Sequence, residues 1–202
     1  MMHFFRLFET KDFSEKRDYF CKRTNNHISL VKKYIQKIID LKDSRLDLAG
    51  LKMELSNHDF GKFKDPELAP YIELTWNYHL KDHLGETPKV DDKLQKQIQL
   101  ATFHHVKTHP HHPEYWDEKS TIDSINNKDR HKPPEKIVDA TNIPLTYIST
   151  MVADWCAMSE EKNSNPYDWA KNNINVRWKF TKEQENFIYE LLDKIWKAED
   201  KQ

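Results

Sequence analysis

A chain of 202 residues with 37% hydrophobic and 32% charged residues can bury one substantial core, and its 3 glycines disfavour a turn-rich β sandwich and glycine-dependent phosphate loops. The 32 Lys and Arg nearly cancel the 33 Asp and Glu, which excludes the global positive field of a nonspecific nucleic-acid binder. The widely separated Cys21 and Cys156 suggest neither a disulfide framework nor a cysteine zinc site, and fit a reducing cytoplasm. The apolar start at Met1 meets Glu9, Lys11 and Asp12 too soon for a secretory segment. No stretch approaches the roughly 20 apolar residues of a membrane span. The expected fold is all-α, a single-domain helical bundle over residues 1–202.

Taken in chain order, residues from about Ser14 to Leu41 read as one or two helices, with Thr24 or Asn25 able to cap the start of the second. Val31, Tyr34, Ile35 and Ile38 mark the inner face there. His27, four residues before Val31, points inward near that helix N-terminus, as a core histidine or a ligand. Next comes a helix in which Leu48, Leu51 and Leu55 form a buried stripe that His58 and Lys62 continue, with Asp59 one position round. Three ionisable groups at the inner end of a core helix require something to compensate their desolvation, and a divalent metal does so. Asp65-Pro66-Glu67 reads as a capped helix start leading to about Leu84. His79 and His83 on that helix share a face and are spaced to chelate a metal, but their neighbours Lys81, Asp82 and Glu86 favour a solvated helix end, outside the main site.

From Lys89 to about Lys107 a further helix shows Leu94, Ile98 and Ala101 on its buried seam, continued by His105, with His104 beside it on the line of Leu100. The prolines of His109-Pro110-His111-His112-Pro113 prevent regular structure and hold the imidazoles close together. Asp117 to Lys136 is polar and reads as a long loop able to close over a pocket, its Asp123, Asp129, Arg130, His131 and Lys132 solvated rather than catalytic. In a helix from about Pro144 to Glu160, Tyr147, Met151, Asp154 and Met158 make an inner seam. A carboxylate among Met, Trp and Val needs a cation beside it, a metal or a buried Arg or Lys. Asn165-Pro166 opens a short helix and Thr181 caps the last, where Phe187, Leu191, Leu192 and Ile195 pack on the bundle as scaffold. The metal-site core is expected over about 24–159, with C-terminal helices over 165–199 packed on it.

In this order, His27, the His58-Asp59 pair with Lys62 three residues on, the group His104 to His112 and the distant Asp154 resemble the HD-domain superfamily of metal-dependent phosphohydrolases. The resemblance covers roughly Thr24 to Ser159. His111-His112-Pro113-Glu114-Tyr115-Trp116 stands where the cyclic-di-GMP phosphodiesterases carry a Gly-Tyr-Pro signature, which argues against that substrate. The elements His58-Asp59-Phe60-Gly61-Lys62-Phe63, His111 to Trp116 and Asp154-Trp155-Cys156-Ala157-Met158 look like a branch found in phages, large viruses and bacteria.

The resemblance implies one or two divalent transition ions, Mn, Fe, Co, Ni or Zn, with His27, His58, Asp59, His105, His111 and Asp154 as ligands. It also implies a water acidified to a pKa of about 7 as attacking group. Asp59, Lys62 and His105 are the expected catalytic residues; Lys62, His104 and His112 are the expected contacts to a small phosphorylated substrate, a nucleotide or similar compound, in the cytoplasm, that of a host if the protein is viral. A di-iron oxygenase on the same fold and a non-catalytic nucleotide-binding protein are the alternatives.

Overall fold

Two long helices dominate the molecule because their apolar residues recur at helical spacing on broad faces. The computed structural model describes residues 11–88, 90–125, 134 and 136–196. Helix α1 (Lys11–Asp40) buries Phe20, Val31, Tyr34, Ile35 and Ile38, and α7 (Leu145–Glu161) buries residues on nearly every side, among them Ile148, Val152, Ala153, Cys156 and Ala157. The two helices pack on each other and share one hydrophobic core with α2 (Leu48–Asn57), α8 (Pro166–Asn173) and α9 (Lys182–Ile195). On the other side of α1 lie α3 (Leu68–His83) and, against α3, α4 (Asp92–Thr108). The all-α bundle expected from composition is the observed architecture.

Helix starts follow their side chains. Asp47 accepts from the amides of Ala49 and Gly50 at the head of α2, Asp91 from Leu94 at α4, Asn165 from Tyr167 at α8, and Thr181 forms a full capping box with Gln184 at α9. Short pieces complete the chain: a 3-10 turn at Phe60–Phe63, single turns α5 (Pro113–Trp116) and α6 (Ile122–Ile125), and two two-residue strands, β1 (Val138–Asp139) and β2 (Trp178–Lys179), paired in parallel. Nothing in the composition announced those strands.

Several expectations are corrected. There is no break at Thr24 or Asn25: Thr24 is buried, and the Asn25 amide donates to the Cys21 carbonyl at 2.8 Å, within one unbroken helix. His27 therefore lies in mid-helix rather than at an N-terminus. In α2 only Leu51 is fully inward; Leu48 is 48% exposed, and Glu54 takes the inner position beside His58. The helix also stops at Asn57 and does not carry through to Lys62. At α3 the predicted cap fails, since Asp65 and Pro66 are exposed and the helix begins behind a buried Glu67 that makes no cap bond. Leu100 is exposed, so its line on α4 faces outward. His79 is packed rather than solvated, its ring 4.2 Å from that of Tyr19, although His83 is exposed.

The segment after α4 is not wholly irregular, because α5 folds as one turn held by the Trp116 indole donating to the Pro110 carbonyl at 2.8 Å. Asp117 is buried and accepts from the amides of Lys119 and Asp139. Of the loop expected from Asp117 to Lys136, Asp123 is exposed, while Asp129, Arg130, His131 and Lys132 lie outside the described residues, as does the apolar start at Met1. Among the described residues no helix is long and apolar enough to cross a membrane.

Ile35 is fully buried at the centre of the shared core. Ile35→Ala is expected to destabilise the protein by about 2–5 kcal/mol through lost transfer energy and the residual cavity. A urea midpoint unchanged from wild type would contradict the central position of α1.

Candidate metal centre

A change of backbone conformation builds the site. Where α2 ends, His58 leaves helical geometry (φ −50, ψ 127) and Asp59 enters the left-handed region (φ 58, ψ 11). Aspartate tolerates that region better than most residues, at a cost of about 1–3 kcal/mol. The turn swings the Asp59 carboxylate into the space between α1, α4 and α7, where it is 1% exposed.

Its two oxygens serve different groups. Oδ2 lies 2.5 Å from the Lys62 ammonium, 3.6 Å from His27 Nε2 and 3.8 Å from His58 Nε2. Oδ1 lies 3.2 Å from His105 Nε2 and 3.9 Å from His111 Nε2. Asp154, presented by α7, closes the first group: its Oδ1 is 2.9 Å from His27 Nε2 and 3.8 Å from His58 Nε2. His112 joins the second, since atoms of His105, His111 and His112 fall within 4.8 Å of one another, as do those of His27, His58 and Asp59. The expected alternative of a buried Arg or Lys beside Asp154 is not what is found; its partners are imidazoles.

Behind these histidines stand glutamates. Nδ1–H of His111 donates to Glu54 Oε2 at 3.1 Å, and Nδ1–H of His105 to Glu67 Oε2 at 2.9 Å. Nδ1 of His27 lies 3.6 Å from Glu161 Oε2, whose other oxygen pairs with Arg23 at 3.0 Å. With Nδ1 committed, Nε2 of His105 and of His111 each face a carboxylate oxygen, and each offers a lone pair there whenever its ring is neutral. Two lone pairs facing across such a gap repel unless a proton or a cation lies between them. Ions bound at about 2.0–2.2 Å set their ligand atoms about 3–3.5 Å apart; His105 Nε2 and Asp59 Oδ1 at 3.2 Å have that spacing, and His27 Nε2 with Asp154 Oδ1 at 2.9 Å and with Asp59 Oδ2 at 3.6 Å lie just outside it. The buried atoms His58 Nε2, Asp59 Oδ1 and His112 Nε2 have no hydrogen-bond partner among the described residues. Nitrogen and carboxylate donors in this mixture fit a divalent transition ion, and the buried groups could hold one.

The electrostatics agree with the geometry. Burial pushes Asp59 and Asp154 up, yet Lys62, His58 and His105 around the one and His27 and His58 around the other hold both carboxyls well below the usual range. Burial opposes a charge on His58, but Asp59, Asp154 and Glu54 outweigh it and raise its pKa to about 9. Burial and the neighbouring His58 push His111 the opposite way, to about 4. Burial, with His111 and His105, holds His112 well below its ordinary value.

The structure therefore brings His27, His58, Asp59, His105, His111 and Asp154 together. Lys62 touches Asp59 and lies 5.4 Å from the centre of the Tyr71 ring. His112, read as a substrate contact, is inside the imidazole group instead. His104, read the same way, is 44% exposed at its side chain and spends Nδ1 on Glu67 Oε1 at 2.7 Å. Glu54, Glu67 and Glu161 were missed. Glu54 stands four residues before His58, and Glu161 follows Asp154 and Met158 on the inner seam of α7, so helical spacing alone exposes those two. Glu67 carries no such signal.

Fold and site together define an all-α bundle with a buried imidazole–carboxylate cluster able to hold metal. The chain belongs to DUF5662, a family of unknown function, whose family model matches residues 16–194. No curated protein matches the chain, and no solved structure does.

Because His58 is raised to about 9, it carries a proton at pH 7 that an ion must displace. Uptake of zinc at pH 7 is expected to release on the order of one proton. Titration calorimetry in buffers of different ionisation enthalpy measures it, and the same heat in every buffer would contradict the cluster as the binding place.

Proposed function

We propose that the protein is a metal-dependent phosphohydrolase of HD-domain type, acting on a nucleotide or another small phosphorylated compound. The observation that carries this reading is the Asp59 carboxylate divided between two histidine groups. His27, His58, Asp154 and one oxygen of Asp59 would hold a first ion; His105, His111, His112 and the other oxygen would hold a second. Mn, Fe, Co, Ni and Zn all suit these donors. A bound ion supplies Lewis acidity, bringing the pKa of a water toward about 7 and offsetting charge on a phosphoryl oxygen.

The chain's own groups do the rest. Asp154 holds His27 at Nε2, and Glu54 and Glu67 hold His111 and His105 at Nδ1, so the cluster is held ready rather than assembled on binding. The Lys62 ammonium, 19% exposed at its side chain, brings positive charge to the edge of the cluster, where a phosphate oxygen gains charge as the reaction proceeds. His104, exposed and tied to Glu67, would offer a polar contact to such a compound. The small buried rings of the second group exclude bulk water, which strengthens every charge interaction within.

A second reading rests on the same divided carboxylate. A di-iron oxygenase needs an imidazole- and carboxylate-rich pair of sites, and the donors here suffice. Oxygen consumption by ferrous-loaded protein, with no phosphate released from any nucleotide, would select it.

Phosphate release from a nucleotide panel in the presence of Mn, Co or Ni tests the proposal. Activity with at least one compound is expected, and Asp59→Ala is expected to lower it by about 10²-fold or more, since even supporting contacts to such ligands are worth about 10–100-fold. Full turnover by Asp59→Ala would overturn the assignment.

A further inference from the structure

Glu67 is given no ion in the reading above, yet its carboxylate is fully enclosed. It is 0% exposed, one residue ahead of α3, and both oxygens are taken by consecutive histidines of α4: Oε1 by His104 Nδ1 at 2.7 Å and Oε2 by His105 Nδ1 at 2.9 Å. The enclosure is tight. A Cβ on Gly61 would meet His109 Cε1 at 2.7 Å and Glu67 Oε1 at 3.4 Å, so the 3-10 turn, His109 and Glu67 are in close packing. The 3-10 turn that carries Lys62 therefore lies against Glu67 Oε1.

A carboxylate only accepts, so the proton of that bond resides on His105 Nδ1. In the ion-binding form of the ring the lone pair is then at Nε2, the atom 3.2 Å from Asp59 Oδ1. The bond between Glu67 and His105 thus sets both the tautomer and the aim of the ring. Glu54 does the same for His111 on the other side, 3.1 Å from its Nδ1. Resting on the two-ion reading of the cluster, we infer that Glu67 is a positioning residue for the second ion, fixing His105 with Nε2 turned toward Asp59. Partners of this kind are worth about 10–100-fold in metal affinity.

Zinc titration of the full chain, followed by native mass spectrometry and calorimetry, tests the inference. Wild type is expected to take two ions. Glu67→Gln, nearly isosteric but able to accept through one oxygen only, is expected to bind the second ion about 10–100-fold more weakly and the first as before. His104→Ala removes the exposed partner and leaves the His105 bond, so both ions should bind as in wild type. Two ions of wild-type affinity in Glu67→Gln would overturn the inference while leaving the two-ion reading intact. So would an equal loss in His104→Ala, since Glu67 would then act by tying the start of α3 to α4. Fewer than two ions in wild type would overturn the inference and the two-ion reading together. Should Glu67→Gln fail to fold, long-range 1H–15N spectra of the zinc-loaded wild type decide: His105 protonated at Nδ1 is expected, and protonation at Nε2 overturns the assignment.

Discussion

The carboxylate of Asp59 is where the chain's distant parts are forced to meet. Histidines from α1, from the end of α2, from α4 and from the segment leading to α5 all approach it within 4 Å. A buried carboxylate in a left-handed backbone conformation is costly on both counts. It persists because the elements around it are anchored elsewhere. The cluster does not hold the bundle together; the bundle holds the cluster in a state that isolated residues would leave.

That division of labour is visible in the packing. His27 and Asp154 come from the middles of the two longest core helices, flanked by Val31 on one and by Met151 and Trp155 on the other. Mid-helix positions fray least, so these two side chains have the firmest base. His111 lies in an irregular stretch and is secured differently. The Lys107 ammonium donates to the carbonyls of Glu114 and Asp117, both at 2.9 Å, and the Trp178 indole donates to Glu114 Oε1 at 2.9 Å. Polar bonds do there what apolar packing does for His27. The C-terminal strand pair therefore serves the site, through Trp178, although it holds none of its histidines.

What could be read from the sequence follows the same line. Wherever a functional side chain continues a helical stripe of apolar residues, periodicity alone aimed it inward: His27 behind Val31, His105 after Ala101, Asp154 after Met151. Where the backbone leaves helical geometry, periodicity misleads. The spacing carries the Leu48 stripe through to Lys62, but α2 turns Glu54 inward and Leu48 out, with Gly50 close against Asp47 and Thr146, and the helix stops at Asn57. Glu67 was hidden for a related reason. Its setting beside Pro66 imitates a helix start, and the partners that bury it are 37 and 38 positions away. No local pattern encodes a pairing of that range, so it becomes visible only in three dimensions.

The balance of buried charge gives the cluster its chemical character. Asp59, Asp154, Glu54 and Glu67 bring four carboxylates to one region, with the Lys62 ammonium as the adjacent fixed cation. Without ions, the remaining positive charge must come from protons on histidine, and the rings cannot all accept one. His58 is raised to about 9, whereas its neighbour His111 is depressed to about 4, because each imidazolium makes the next more costly. Protonation thus leaves the region partly compensated, with lone pairs still opposed. A divalent cation answers both problems, since it meets the carboxylates with two charges from one point and lets every imidazole stay neutral as a donor. Removing one partner from such a set exposes the rest to the desolvation it had offset, so these groups stand or fall as a unit.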